Sequence, residues 1–187
     1  MGGSLKETEI INCVKQIDPK YKNIKNFVET GTYKADSTII ASKHFENVYT
    51  IEIFEQLYEE SKTRAKNEGI TNITFYLGDS LDKLKEITPK VLDGAVFFID
   101  AHISGHDSGW NGSTRVPIFE ELDIILSNPD LGPSVFIVDD LRLWKTIKAW
   151  DWAHITNESI IQKFKDKNIK VSLQFENDDR FYIFTDV

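Results

Sequence analysis

The chain has 187 residues, 41% hydrophobic and 28% charged, which suits one globular domain with its own core and excludes a disordered chain. Its net charge of −8 repels phosphate backbones and argues against a nucleic-acid partner. No apolar run reaches the roughly 18 residues of a membrane span, and the single cysteine, Cys13, excludes an internal disulfide.

Cys13 is expected to be a small core residue. The N-terminus has no apolar core of signal-peptide type, so an intracellular, cytoplasmic protein is expected. Met1-Gly2-Gly3-Ser4 resembles a cloning remnant, leaving 5–187 as one domain, complete or part of a longer protein.

In chain order, the apolar spacing of Leu5, Ile10, Val14 and Ile17 predicts a helix over 5–17 that ends near Asp18-Pro19. A short strand follows over 25–29, then a Gly-containing turn, a helix over 37–45 and a strand over 47–53. The stretch 55–67 reads as a helix closed by Glu68-Gly69, 72–77 as a strand, and 80–87 as a helix stopped before Pro89. Ala95 to Asp100 is almost continuously apolar, as a central parallel strand covered on both faces would be. A helix is expected over 115–126, a second apolar strand over 134–138 and a helix over 158–165. Residues 170–175 and 180–185 alternate around Asn177-Asp178-Asp179 as a hairpin does. This order predicts an α/β fold, a doubly wound Rossmann-like sheet of seven strands, mostly parallel, with one antiparallel strand from the C-terminal hairpin. Ligands of such sheets bind at the carboxyl ends of the strands, near the point where the strand order reverses.

The first strand runs out into Glu29-Thr30-Gly31-Thr32, where Gly31 permits a sharp turn, and Ser37 and Thr38 can cap the next helix. The segment is a ligand loop or an ordinary βα turn. Glu52, followed by Ile53, ends the second strand about 20 residues later, placed to accept from ribose hydroxyls or to lie solvated at a strand end. Gly78-Asp79-Ser80 ends the third strand, and Asp79 is either an acceptor for an exocyclic amine or the N-cap of the next helix. Asp100 and the pair Asp139-Asp140 end the fourth and fifth strands. Three carboxylates there should repel one another, and a divalent cation would relieve this. Oxygen ligands suit Mg²⁺ first, with Mn²⁺ or Ca²⁺ as alternatives. The plainer reading leaves one Asp as a cap and the others solvated.

These residues resemble those of class I S-adenosylmethionine (SAM)-dependent methyltransferases, over about Asn26 to Val187. Glu29-Thr-Gly31-Thr-Tyr-Lys-Ala35-Asp36-Ser37 resembles their cofactor loop, Glu52 stands where they carry a ribose-binding acid, and Gly78-Asp79-Ser80 resembles their adenine-side motif. The broad family pattern is acidic-x-Gly-x-Gly-x-Gly; here Gly31 keeps the first glycine, and Tyr33 and Ala35 replace the other two. That form resembles the metal-dependent O-methyltransferase branch, which includes catechol-type and macrocin-type sugar enzymes. The resemblance implies SAM as cofactor, contacted by Glu29, Thr30, Gly31, Thr32, Ser37, Thr38, Glu52, Ile53, Gly78, Asp79, Ser80 and Asp100. It implies Asp100, Asp139 and Asp140 as metal ligands, with His102 as general base.

The Gly- and Ser-rich stretch from Ser104 to Thr114 follows the fourth strand and is either an acceptor lid or a plain surface loop. His106, Trp110, Arg115 and Trp144 are the candidate acceptor contacts, although buried packing is the safer reading for at least one of Trp144, Trp150 and Trp152. A sugar or glycan hydroxyl is preferred to a catechol, whose pocket would be more apolar. Three rivals remain: a nicotinamide oxidoreductase, whose G-x-G-x-x-G loop Gly31-Thr-Tyr33 does not match, a non-catalytic module on the same fold, and a metal-independent methyltransferase for nitrogen or carboxyl groups.

Overall fold

Seven strands form one sheet in the order β3-β2-β1-β4-β5-β7-β6. The structure is a computed structural model and describes residues 4–102, 115–146 and 152–186. The strands are β1 (Asn26–Thr30), β2 (Asn47–Glu52), β3 (Ile73–Leu77), β4 (Ala95–Ile99), β5 (Ser134–Val138), β6 (Val171–Asn177) and β7 (Arg180–Thr185). β1 to β5 pair in parallel, while β7 runs antiparallel to both β5 and β6. The predicted sheet, including its one antiparallel strand, is the observed one. Every residue of β1, β4, β5 and β7 is buried, which matches the apolar composition of β4 and β5, while β1 and β7 also bury Asn26, Glu29, Thr30, Arg180 and Thr185.

The period-two alternation of β4 divides the core. Ala95, Phe97 and Ile99 point into a cluster with Leu84, Ile87, Leu122, Ile125, Ile160 and Phe164. Val96 and Phe98 point to the other face, toward Leu5, Ile10, Val14, Tyr21, Ala41 and Phe45. The first face is covered by α5 (Ser80–Ile87), α6 (Ile118–Leu126) and α8 (Asn157–Asp166), the second by α1 (Glu7–Ile10), α2 (Pro19–Lys22) and α3 (Asp36–Ser42). The remaining helices are α4 (Glu55–Asn67) and α7 (Leu141–Thr146). No helix among the described residues is long and apolar enough to cross a membrane.

Some local expectations are corrected. The predicted helix over 5–17 is α1 continued by a π-helical turn over Ile11–Lys15, and α2 follows with Pro19 in its first turn and Asp18 as cap, bonding the Lys20 amide. The helix expected from 115 begins at Ile118, because Pro117 takes the cap position. Cys13 is half-buried at the margin of the second cluster rather than within it. α7 is short, and Asp179 of the β6–β7 turn caps it by accepting from the Leu141 and Arg142 amides.

Candidate active site at the carboxyl ends of the strands

Strand order reverses between β1 and β4, and the candidate residues lie at the exits of β1 to β5. The turn after β1 carries three left-handed positions, Gly31 (φ 86°), Tyr33 (φ 48°) and Ala35 (φ 63°). These are the three positions at which the resembling family carries glycine, so the departure in sequence keeps the backbone shape. Two bonds hold Tyr33 there: its amide donates to Glu52 Oε2 (2.8 Å) and its carbonyl accepts from Ser61 Oγ (2.6 Å). Gly31 cannot be replaced in the same way, because a Cβ would stand 2.8 Å from the Asp100 carbonyl oxygen.

Glu52 also accepts from the Phe54 amide through Oε1 (2.9 Å). Burial raises its pKa, and these backbone N–H groups oppose the rise. Around it, Tyr33, Phe54 and Leu77 are exposed at the exits of β1, β2 and β3. They are half of the six exposed large apolar side chains among the described residues, so apolar surface is concentrated on this edge. The sequence reading missed Phe54 and Leu77, since a strand's last residue and a helix cap carry no apolar period.

Several of the expected cofactor contacts are buried and engaged in internal hydrogen bonds. Glu29 is buried and accepts from the Thr38 and Thr50 hydroxyls, while the Thr32 hydroxyl bonds that of Thr50 (2.6 Å). Ser37 accepts from the Leu5 amide and is buried. Thr30 and Ser80 are buried as well. Asp79 is the N-cap of α5, its Oδ1 accepting from the Leu81 amide. Ile53 and Gly78 are partly exposed, Gly78 at φ 142°.

At the exits of β4 and β5, His102 bridges two carboxylates. Its Nε2 lies 2.7 Å from Asp140 Oδ2 and its Nδ1 lies 3.5 Å from Asp100 Oδ1. Trp152 packs edge-on against the imidazole at 5.3 Å. Asp140 sits at φ 60°, and Arg142 Nη1 reaches its Oδ1 at 2.5 Å. Burial alone would raise the Asp140 pKa, but His102 and Arg142 outweigh it and hold it below the usual value. Asp139 faces the buried Arg180, whose Nε lies 3.3 Å from Oδ1, and Arg180 Nη1 bonds Glu9 Oε1 at 2.6 Å. Burial nevertheless raises Asp139 to about 6, Arg180 opposing. The repulsion among three carboxylates that suggested a cation is thus relieved for two of them by arginines distant in sequence or held by a distant partner. Asp100 has His102 as its ion-pair neighbour among the described residues, and burial and the nearby Asp139 and Asp140 raise its pKa well above the usual value.

Asp100, His102 and Asp140 each offer a ligand atom within 4.8 Å of the others, as do Asp139, Asp140 and Asp179. In the second group, Arg180 and Arg142 already contact Asp139 and Asp179. In the first group, Arg142 contacts Asp140 alone; Asp139, one of the ligands expected from the sequence, belongs to the second group and faces Arg180. Trp144, expected beside the acceptor, is buried in the core against Phe181 (6.1 Å), because α7 turns that face inward. Arg115 is exposed, and His106, Trp110 and Trp150 lie outside the described residues.

Buried acids give the fold a predicted pH dependence. Burial raises Glu29 to about 7 and Glu121 to about 8, in each case against hydroxyl hydrogen bonds. The native state then holds protons that the unfolded chain has lost, so stability falls as pH rises from about 5 toward 8. Each such proton contributes roughly 1.4 kcal/mol for every pH step over which only the folded chain keeps it. A loss of at least about 2 kcal/mol is expected, read as a lower melting temperature at pH 8 than at pH 5.5. Equal melting temperatures would show that neither acid titrates in this range.

No family model matches the chain. A protein-L-isoaspartate O-methyltransferase of Thermosipho melanesiensis is 36% identical over 76 residues, or 40% of this chain and 38% of that relative's length. Among solved structures, a SAM-dependent methyltransferase of Aquifex aeolicus superposes with a TM-score of 0.54 at 13% identity, covering 97% of this chain and 98% of that one. The fibrillarin of Aeropyrum pernix, with natively bound SAM, superposes at 0.53 and 13% identity, covering 87% and 66%. The fold is that of the Rossmann-like methyltransferases.

Proposed function

We propose that the chain transfers a methyl group from SAM to a hydroxyl, with a divalent cation beside the acceptor, and that the acceptor is a sugar or glycan. The observation that carries this reading is Asp100, an acid among other acids at the exit of β4, with His102 and Asp140 converging on it. A carboxylate so placed needs a proton or a cation. Asp100, His102 and Asp140 would hold the cation, and an imidazole donor suits Mn²⁺ better than Mg²⁺ or Ca²⁺. SAM brings an already activated methyl group, and a bound cation would lower the pKa of a hydroxyl and orient it. Glu52 would accept from the ribose hydroxyls, and Tyr33, Phe54 and Leu77 would cover the adenosine from the rim. The acceptor oxygen gains the methyl group as the carbon–sulfur bond breaks, leaving S-adenosylhomocysteine, and the hydroxyl proton passes to water. The sugar preference rests on the polar, Gly-rich stretch 104–114 that follows His102 in sequence. The name of the Thermosipho relative gives an oxygen acceptor.

A second reading has its own support, since Arg142 and Arg180 already face Asp140 and Asp139. Without a cation, Asp140 would hold the Nε2–H of His102, and Nδ1 would take the hydroxyl proton. Labelled SAM incubated with a panel of sugars, in excess chelator or with added Mn²⁺, separates the two. Transfer that needs Mn²⁺ supports the first reading, and equal transfer in chelator replaces it with the second. Transfer to no hydroxyl compound in either condition sinks both.

A further inference from the structure

Glu121, on α6, was not singled out by its sequence, yet its side chain is fully buried among the turns that form the rim. Its Oε2 accepts from the Thr30 hydroxyl at 3.1 Å. That hydroxyl accepts in turn from the Asp100 amide (3.2 Å) and the Ala101 amide (3.3 Å). Both lone pairs of Thr30 are thereby used, so its proton is committed to Glu121. The other Glu121 oxygen, Oε1, is buried without a hydrogen-bond partner among the described residues. One carboxyl group on α6 therefore ties together, through Thr30, the exits of β1 and β4. An apolar residue would be expected on this face, where Ile118, Leu122 and Ile125 surround it, and burying an acid here costs stability.

We infer that Glu121 is a positioning residue, which through Thr30 fixes the turns after β1 and β4 relative to each other on the methyl-donor side of the cleft. The inference rests on the SAM-binding reading above. It departs from the usual role of an acidic residue on an amphipathic helix, which is to face water. Burial raises Glu121 to about 8, so near pH 7 the carboxyl is largely neutral, as a group built into a connection rather than into a charge pair would be.

Calorimetric titration with S-adenosylhomocysteine of the wild type and three variants tests it. Glu121→Leu deletes the acceptor, and Thr30→Val deletes the link while keeping shape. Each should weaken binding about tenfold, the scale of one lost buried hydrogen bond. Glu121→Gln keeps an oxygen for Thr30 and should bind within about threefold of wild type. A merely structural role would shift melting temperature without this rescue pattern. Wild-type affinity in Glu121→Leu overturns the inference, as does equal weakening in Glu121→Gln. If Glu121→Leu does not fold, Thr30→Val decides, and wild-type affinity there overturns it equally. A wild-type chain that does not bind S-adenosylhomocysteine removes the SAM reading itself, a distinguishable result.

Discussion

Replacing Asp140 with asparagine is expected to lower methyl transfer by about 10²- to 10⁴-fold while S-adenosylhomocysteine affinity stays within about threefold. Asp140 belongs to both candidate ligand groups and is the hydrogen-bond partner of His102 at 2.7 Å. In either reading its charge is needed, to hold a cation or to orient and stabilise the imidazole. Asparagine tolerates the left-handed backbone at this position (φ 60°) and nearly matches the shape, so the change removes charge with little strain. All the expected cofactor contacts except Asp100 lie at the exits of β1 to β3, on other strands than Asp140, which is why binding should survive. The check is turnover by release of S-adenosylhomocysteine, with binding by calorimetry. Wild-type turnover would remove the His102–Asp140 pair from the reaction.

Replacing Arg180 with methionine is expected to cost about 3–5 kcal/mol of stability, the scale for breaking a buried ion pair from one side. Arg180 is 2% exposed, bonds Glu9 of α1, and faces Asp139 at the exit of β5. Its removal leaves both acids buried near each other, with Tyr182 still donating to Glu9 (3.2 Å). At roughly two to four degrees per kcal/mol, a melting temperature about 10 °C lower follows at pH 7.5. The deficit should shrink at pH 5.5. Asp139 already has a raised pKa of about 6, and without Arg180 it protonates more readily there, which removes the unpaired charge. Adding Glu9→Gln and Asp139→Asn should recover part of the loss, since the neutral pair no longer needs the guanidinium. A melting temperature unchanged by Arg180→Met would show that this buried chain of charges does not hold α1 to the sheet.

The sheet could be read in advance because its signals are local. Apolar runs such as Ala95–Ile99 and Ser134–Val138 mark covered parallel strands, and the turn around Asn177-Asp178-Asp179 marks the antiparallel return. α2 and α7 were missed because each spans less than two turns, too short for a 3.6-residue period to show. The acids at the strand exits were also visible, each at the end of an apolar run. Their partners were not. Arg180 opens a hairpin strand and looks like a solvated charge, yet it meets Glu9, 171 positions earlier. Arg142 follows Asp140 closely in sequence, but its second partner, Asp179, comes from the hairpin turn. The count of negative charges that suggested a cation did not include the arginines that the fold brings among them. Glu121 was hidden for the opposite reason. Beside Glu120 it reads as part of a wet helix face, and only the three-dimensional course of β1 and β4 puts it under the cleft.

The most direct test of SAM binding at these strand exits is the melting temperature of the wild-type chain titrated with S-adenosylhomocysteine, with NAD as the control ligand. At 100 times its Kd a ligand adds about 2.7 kcal/mol, which for a chain of this size raises the melting temperature by roughly 5–10 °C. A saturable rise of that order with S-adenosylhomocysteine, and none with NAD, is the predicted result. No rise at millimolar S-adenosylhomocysteine, or a rise with NAD instead, would contradict it and leave the fold without its proposed chemistry.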